Sequence, residues 1–371
     1  MNKFVSIFIT FLSILSACSE KENTREICFR ERESVPVSEL MADYSLIKLE
    51  TCDENLILDA SIVRLWNGRI YILDCFSQAK GFFVFNLEGK YLGRIGTVGA
   101  GLGEYIMPMG MVIDPIERHV IVKDVAQNKL LFFDAESFTF LKEERLPFYS
   151  DCLEYAASGQ LVWYNGAGCK NEGTFQNHLQ LTDMEANLLD SRIAQMDFPR
   201  RAPYNVLTYF HRYDDLIYFH HPFMNEFYQY NPADKTLQPA YTLTFEKLKM
   251  PSEEFIIENK NSIIEALKKE NYVQYIELQE NSEKILCYLG NGERFIGVYD
   301  KKSQEAFYCN FKHLEDDLGI QTFVRPKCVY EDRFVGVIYT EKLEGLPKES
   351  IISPLVGNES DGGNPIIVLF K

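Results

Sequence analysis

Short apolar runs, separated by Gly, Asn and Asp, recur along the chain and predict β-strands joined by tight turns. In the clearest example, SIVRLW (61–66) and RIYILD (69–74) flank the dipeptide Asn67-Gly68. Asn-Gly is the preferred two-residue hairpin turn, because both of its positions must adopt a positive φ. Runs of this length that are rich in Val, Ile, Phe and Tyr favour strands over helices. The segment therefore predicts an antiparallel hairpin.

This hairpin recurs along the chain. Its first strands are predicted at 61–66, 110–114, 152–156, 207–211, 273–278 and 327–330. Its second strands are predicted to begin at residues 69, 119, 160, 215, 284 and 333, and a third strand follows most of them. Successive second strands are 41 to 69 residues apart, near the period of about 40 to 50 residues of propeller blades. We therefore predict an all-β fold, a six-bladed β-propeller of four-stranded antiparallel blades.

The two ends of the sequence are predicted to share the last blade. YSLIKLE (44–50) precedes the first hairpin, and NPIIVLFK (364–371) is the last apolar segment. Pairing these two strands closes the ring. It also gives a partner to a terminal strand that would otherwise fray.

The long interval before the fifth hairpin predicts a helical insertion between blades four and five. In residues 252–271, Ser252 precedes acidic residues in the next turn, which is a usual signal for the start of a helix. Apolar residues from Phe255 to Leu267 form a rough stripe at helical spacing. We interpret this segment as an insertion within the propeller and not as a second domain.

The first residues predict a secretory signal with a lipidation site. Lys3 precedes an apolar run and two small residues, which is the order found in signal peptides. The run is shorter than the ~20 residues that a membrane-spanning helix needs. Leu-Ser-Ala-Cys at 15–18 resembles the bacterial lipobox, in which the cysteine thiol receives a lipid before cleavage. The resemblance implies that residues 1–17 are removed and that Cys18 becomes the lipidated first residue.

The mature chain is predicted to have two parts. Residues 18–42 are expected to be a lipidated N-terminus and tether, since the polar stretch 19–26 has little apolar surface to bury. Residues 43–371 are expected to form the propeller domain. An anchor of two or more lipid chains holds a protein stably at a membrane, so the membrane is the first predicted partner.

Composition disfavours some functions. The formal net charge is −16, which argues against binding to nucleic acid, because that needs a basic surface. The nine cysteines include no C-x-x-C pair, so a zinc site of that type is not expected. The sequence has no G-x-S-x-G or H-E-x-x-H motif, and no catalytic residue is predicted.

These features together resemble a known family. The lipobox, the strand ending YILD (71–74) and the segment GTVGAGLGEY (96–105) look like those of six-bladed β-propeller lipoproteins of Bacteroidetes, which are similar to NHL-type propellers. The resemblance covers residues 43–371. It implies the fold and a place at the outer membrane, facing the periplasm or the cell surface. It implies little about activity.

Two polar features are interpreted as architectural. The glycine-rich segment 96–105 lacks the Lys and Ser/Thr of a phosphate-binding loop, so it is predicted to be a tight crossover between blades. Asp74, Asp124 and Asn165 end the second strands of three repeats, where short side chains accept hydrogen bonds from turn N–H groups. His220 has the equivalent position in the fourth repeat.

One face of the propeller is predicted to carry the candidate binding residues. The crossovers between blades and the loops after the second strands meet on this face, at one mouth of the central channel. Mixed Arg, Tyr and His side chains suit a polar or anionic ligand, or a sugar ring stacked on an aromatic side chain. The candidates are Glu104, Tyr105, Arg200, Arg201, Tyr204, His220, His221 and Arg325.

The sequence leaves alternative functions open. The first hypothesis is a ligand-binding or protein-interaction module on the cell envelope, with a glycan, peptide or envelope protein as partner and no predicted cofactor. The alternative is a metal-dependent hydrolase or lyase, similar to lactonases with this fold, that holds Ca²⁺ or Zn²⁺ at the channel mouth. A purely structural assembly partner is a third hypothesis. The fold alone does not decide among them.

Replacement of Cys18 by Ser tests the predicted anchor. The variant lacks the thiol that would receive the lipid, so it should fold and appear in the soluble fraction, whereas the unchanged protein stays with the membrane. Detergent phase partitioning of the two proteins measures the difference. A Cys18→Ser protein that still partitions with the membrane contradicts the lipid anchor.

Overall fold

A computed structural model describes residues 24–77, 80–156, 159–166, 171, 173–194, 208–321, 324–340, 343, 345–356 and 363–371. The predicted signal peptide and Cys18 lie outside this part of the chain. Among the residues that are described, no helix is long and apolar enough to cross a membrane.

The first three blades follow a short N-terminal region. That region contains β1 (Arg25–Glu31), β2 (Val35–Pro36), α1 (Val37–Leu40) and β3 (Ser45–Lys48). Blade one contains β4 (Ile62–Trp66), β5 (Arg69–Asp74), β6 (Gly81–Asn86) and β7 (Tyr91–Arg94), and the crossover after it contains β8 (Thr97–Val98) and β9 (Glu104–Tyr105). Blade two contains β10 (Pro108–Asp114), β11 (His119–Asp124), β12 (Lys129–Asp134) and β13 (Phe140–Arg145). Blade three contains β14 (Cys152–Tyr155), β15 (Gln160–Tyr164), β16 (Leu179–Asp183) and β17 (Leu188–Arg192).

The second half of the chain completes the ring. Blade four contains β18 (Phe210–Tyr213), β19 (Leu216–His220), β20 (Glu226–Asn231) and β21 (Thr236–Phe245), and α2 (Glu253–Glu258) and α3 (Ile263–Glu270) follow it. Blade five contains β22 (Tyr275–Glu280), β23 (Lys284–Gly290), β24 (Arg294–Asp300) and β25 (Ala306–Asn310), and β26 (Leu314–Glu315) follows it. Blade six contains β27 (Pro326–Tyr330), β28 (Arg333–Ile338), β29 (Ile366–Phe370) and β3, with α4 (Ser353–Val356) before β29.

The predicted propeller is confirmed, with each blade built from four antiparallel strands. Within a blade, the first strand is the inner one and the fourth is the outer one. The chain passes from each outer strand to the next inner strand on one side, here called the crossover face, which also carries the loop after each second strand. The opposite side, here called the turn face, carries the turns between first and second and between third and fourth strands.

Strand alternation places apolar side chains between neighbouring blades. In β5, Ile70 and Ile72 pack with blade six, whereas Tyr71 and Leu73 pack with blade two. Successive side chains of a strand point to opposite faces, so a central strand that is apolar at every position is buried on both sides. This explains why the second and third strands are continuous apolar runs.

The two ends of the chain share blade six, as predicted. β29 pairs antiparallel with β3, from Ile366 opposite Lys48 to Leu369 opposite Ser45. Every side chain of β29 is buried. The C-terminal strand therefore stays in place because it is the third strand of a four-stranded sheet.

Carboxylates at the ends of second strands fasten the crossovers, which confirms that they are architectural. Asp74 accepts hydrogen bonds from the N–H groups of residues 58–59 at 3.2 and 3.1 Å. Asp124 accepts from those of residues 106–107 at 2.9 and 3.1 Å. Each carboxylate joins the end of its strand to the segment that leads into the inner strand of the same blade. In blade three, Asn165 instead donates to two backbone carbonyls.

The prediction of a tether up to residue 42 is wrong from Arg25 onward. β1 lies between the outer strands of blades four and five and pairs in parallel with both β21 and β25. Ile27 and Phe29 are buried between those blades. The polar residues that suggested a tether alternate with these apolar ones, so half of the strand faces solvent and half faces the core.

The helical insertion between blades four and five is confirmed as α2 and α3. The Ser252 hydroxyl accepts a hydrogen bond from the N–H of Phe255 at 3.2 Å, which caps α2. Ile256, Ile263 and Leu267 are buried in a small cluster with Phe223. The insertion therefore packs on the loop after the second strand of blade four.

Replacing Phe29 by Ala tests the contribution of β1 to the fold. Phe29 is fully buried, and its ring centroid lies 5.1 Å from that of Phe245. Loss of a buried phenyl ring typically lowers the free energy of unfolding by about 3–5 kcal/mol. The control is Phe76→Ala, which removes a ring that is 40% exposed and should cost less than about 1 kcal/mol. Urea unfolding measures both, and equal losses would contradict a structural role for β1.

Candidate functional site in the central channel

The inner strands of the blades surround a central channel with two adjoining cavities. The cavity on the crossover face has a volume of about 260 Å³, and the cavity on the turn face about 340 Å³. Asp59, Phe76 and Arg325 line only the first cavity. Four residues line both cavities, and we call them the waist of the channel: Arg64, Thr208, Gln279 and Lys327.

Two arginines beside the channel are paired with carboxylates from other blades. Arg64 Nη2 lies 3.1 Å from Oε2 of Glu154, which joins blades one and three. Arg325 forms an ion pair with Glu277, and its guanidinium lies 4.8 Å from the ring centroid of Tyr288. Such charge-assisted contacts hold the planar guanidinium groups in fixed orientations.

Lys327 and Gln279 differ from these arginines. Within the described part of the chain, neither side chain makes a hydrogen bond or an ion pair. Burial and the nearby Arg325 lower the pKa of the Lys327 ammonium to about 8, while Glu277 and Asp59 act in the opposite direction. The waist therefore presents an ammonium group and an amide group that are available to a ligand.

Three of the predicted binding residues, Arg325, Glu104 and Tyr105, lie in three different environments. Arg325 lines the cavity on the crossover face. Glu104 lies in the crossover between blades one and two, where its carboxylate accepts a hydrogen bond from Gly101 N at 2.8 Å. Tyr105 is fully buried and donates to the carbonyl of Ile95 at 3.1 Å. The prediction of a surface role is therefore wrong for Tyr105, because its side chain belongs to the core between blades one and two.

The glycine-rich segment is the tight crossover that the sequence predicted. Gly96 and Gly103 have φ values of 62° and 75°, in the left-handed region that favours glycine. β8 and β9 pair in parallel within this segment. Glu104 thus fastens a loop and does not face the channel cavities.

The prediction that His220 and His221 face a ligand is also wrong. Both side chains are only 4% exposed. His220 packs 4.6 Å from the ring of Phe227, whereas His221 lies 2.9 Å from the hydroxyl of Tyr164. The two rings point to opposite sides of the strand end, as expected for adjacent residues, and both are covered by neighbouring aromatic rings.

His221 belongs to a buried histidine cluster that the sequence did not indicate. Its ring centroid lies 4.9 Å from that of His178, which comes from blade three. Burial lowers the pKa of His220 to about 4 and that of His221 to about 3, and it also lowers the pKa of His178. All three rings are therefore neutral at pH 7.

The remaining candidates, Arg200, Arg201 and Tyr204, lie outside the described residues. Their predicted place on the crossover face stays a prediction.

Apart from Arg325, the charged residues of the channel were not among the predicted ones, because they lie in strands and the prediction rested on loops and strand ends. Arg64, Glu154, Glu277 and Lys327 lie in or beside inner strands that are otherwise largely apolar. A polar residue within the first strand of each repeat is the signal that could have found them, since inner strands face the channel. Among the described residues, no three His, Cys, Asp or Glu side chains come together as a candidate metal site.

A family model described as a 6-bladed beta-propeller, DUF5128, matches residues 16–337. The chain belongs to this family. The match spans the inner strands of all the blades and therefore every channel residue named above.

Solved structures share the fold of this DUF5128 propeller at low sequence identity. A protein of Bacteroides fragilis NCTC 9343, described as exported, is 23% identical, with a TM-score of 0.81 over 93% of this chain and 99% of that chain. A duf4221 family member from Bacteroides vulgatus is 9% identical, with a TM-score of 0.57 over 89% of this chain and 97% of that chain. No curated protein sequence matches the chain.

The buried histidines predict a loss of stability in mild acid. Below the ordinary histidine pKa of about 6.5, the unfolded chain binds protons that buried His220 and His221 do not bind. The free energy of unfolding should therefore fall as the pH decreases from about 6.5 to about 4. Each such histidine contributes a slope of about 1.4 kcal/mol per pH unit.

The variant His221→Phe isolates one of these contributions. It should flatten the pH dependence of unfolding by about 1.4 kcal/mol per pH unit in that range. His313→Gln is the control, because the His313 side chain is exposed. Urea unfolding at pH 7, 6 and 5 measures the slopes, and an unchanged slope for His221→Phe is the contradictory result.

Proposed function

We propose that this protein is an exported, lipid-anchored binding protein of the outer membrane whose propeller takes up a ligand in the central channel. The observation that supports this most is the waist, where side chains from several blades surround two cavities and Lys327 and Gln279 make no hydrogen bond or ion pair within the described residues. Ligand sites are typically concave and contain a few polar groups that fix orientation. The resemblance of the sequence to lipidated NHL-type propellers supports the lipid anchor in this proposal.

The position of β1 supports a particular orientation at the membrane. β1 is parallel to the outer strands β21 and β25, and outer strands run from the turn face toward the crossover face. Arg25 therefore lies near the turn face. Residues 18–24 reach at most about 25 Å when fully extended, so an anchor on Cys18 leaves the crossover face pointing away from the membrane. The Bacteroides fragilis protein of similar fold is described as exported, which supports the export part of this proposal.

The crossover face has apolar side chains that support contact with a ligand or partner. They lie in crossovers and in loops after second strands of the first blades, and one of them, Phe76, lines the cavity. Exposed apolar residues that cluster on one face often mark an interaction site. The members of this rim are Leu56, Leu58, Phe76, Val98, Leu102, Ile106, Met107, Val125 and Tyr149.

The size of the cavity favours a small ligand or the end of a longer one. A volume of about 260 Å³ lies just below the range of about 300–1,000 Å³ of typical ligand pockets. A monosaccharide unit or one residue of a peptide fits this space, whereas a folded partner would contact only the rim. The ligand we propose is therefore a glycan or peptide component that enters from the crossover face.

The variant Thr208→Trp tests whether the channel is the binding site. Thr208 lines both cavities, so an indole ring at this position should fill the waist and abolish binding. The protein without its anchor, Cys18→Ser, is first screened on arrays of glycans and peptides. Each ligand found is then measured with Thr208→Trp by calorimetry, and at least a hundredfold loss of affinity is expected.

Thr236→Trp serves as the matched control, because Thr236 is exposed at the start of the outer strand of blade four. It should bind like the parent protein. If Thr208→Trp folds and binds every ligand with unchanged affinity, the channel is not the binding site and the proposal is wrong.

A further inference from the structure

We propose that the waist recognises the carboxylate of a small organic acid, about the size of a sugar acid, through Lys327 and Gln279. This inference rests on the proposed function, since it names the chemical class of the ligand that the channel takes up. It assigns the two side chains as ligand donors, with Arg64 and Arg325 as neighbours that are each paired with a carboxylate of the protein.

The hydrogen-bonding state of the channel residues supports this assignment. Arg64 and Arg325 are each engaged by a carboxylate of the protein, Glu154 and Glu277 respectively. The Lys327 ammonium and the Gln279 amide have no such partner within the described residues. A buried or half-buried polar group without a partner is costly, and a ligand oxygen between these two donors would remove that cost.

The donors and acceptors that line the cavity favour an anion. Arg325 and Lys327 line the same cavity. Within the described residues, the cavity contains N–H donors of Lys327 and Gln279 that no protein group accepts, whereas its acceptors Asp59 and Glu277 are already engaged.

The charge around the waist favours a monoanion over a phosphate. Arg64 and Arg325 are paired with Glu154 and Glu277, so Lys327 is the cation of the waist that no carboxylate of the described residues pairs with, and Asp59 lines the same cavity. A carboxylate carries one negative charge, whereas a phosphate group carries about −1.5 to −2 at pH 7. The excess charge of a phosphate would be opposed by Asp59 and Glu277.

The wall of the cavity suits a hydroxylated ring. Thr208 lies at the waist, where its hydroxyl oxygen accepts a hydrogen bond from Phe210 N at 3.0 Å, and Phe76 lines the cavity with a side chain that is 40% exposed. An exposed aromatic face can stack on the apolar face of a sugar, while amide and hydroxyl groups pair with its hydroxyls. This combination favours a sugar acid over an aliphatic acid.

Protonation of Lys327 should be coupled to binding. In the free protein its pKa is lowered to about 8, and a bound carboxylate favours the charged ammonium. Binding should therefore take up protons near pH 8 and weaken above that pH. The groups that act on Lys327 are Asp59, Cys75, Glu277 and Arg325.

The test uses sodium D-glucuronate as probe, with D-glucose as its neutral counterpart and inorganic phosphate as an anion without the sugar ring. Calorimetry on the Cys18→Ser protein should show binding of glucuronate, and binding of glucose and phosphate at least tenfold weaker. Lys327→Met should lower the glucuronate affinity about tenfold to hundredfold, as expected for loss of a charged hydrogen bond. Gln279→Leu should lower it several-fold.

Lys302→Met is the control, because Lys302 is exposed in a turn of blade five. It should bind glucuronate like the parent protein. The affinity of the parent protein should fall between pH 7 and pH 9, and that of Lys327→Met should not. Unfolding temperatures show whether each variant is folded. If Lys327→Met does not fold, Gln279→Leu alone tests the donors of the waist.

Each other outcome overturns the inference. Equal binding of glucose means that the carboxylate is not recognised, and equal binding of phosphate means that the site takes anions in general. If glucuronate does not bind but Thr208→Trp abolishes binding of another ligand, the channel function stands and the carboxylate assignment is wrong. If no ligand responds to Thr208→Trp, both proposals are wrong.

Discussion

The antiparallel pairing of Ile366–Phe370 with Ser45–Lys48 is the contact on which the rest of the molecule depends. It joins the two ends of the propeller in one blade, so the blades form a closed ring and not an open row. Because the ring is closed, every blade packs against two neighbours, and both faces of its central strands are buried. The same closure directs the inner strand of each blade toward one axis. The channel is thus a consequence of the ring, and its chemistry is set by the few inner-strand residues that are not apolar.

These polar residues come from different blades. Arg64 of blade one meets Glu154 of blade three, and Arg325 before blade six meets Glu277 of blade five. Each of these two arginines forms an ion pair with a carboxylate, whereas Lys327 forms no ion pair within the described residues. A buried charge without a close partner is usually costly for stability. Its presence in the channel, where it lines both cavities, is the reason for assigning it to a ligand.

Hairpin periodicity predicted the blades because each strand pair is local in sequence and its turn chemistry is explicit, as at Asn67-Gly68. The end-to-end closure and the helix capped by Ser252 followed from the same local signals. β1 was missed because its polar positions face solvent, and its pairing with blades four and five is non-local. The site was predicted less well for the same reason. Tyr105, His220 and His221 have polar atoms, but their side chains are buried in the core. Only the assembled ring brings Lys327 and Gln279 to the same cavity.

A crystal structure of the protein, from crystals grown with D-glucuronate, tests most directly the claim that the channel binds the carboxylate of a sugar acid. The account predicts that the sugar acid lies in the cavity on the crossover face, with its carboxylate oxygens within hydrogen-bond distance of Lys327 Nζ and Gln279 Nε2. It also predicts that the Arg64–Glu154 pair stays intact. Glucuronate bound only at the outer rim, or a channel that stays without the sugar acid at saturating concentration, would contradict the account.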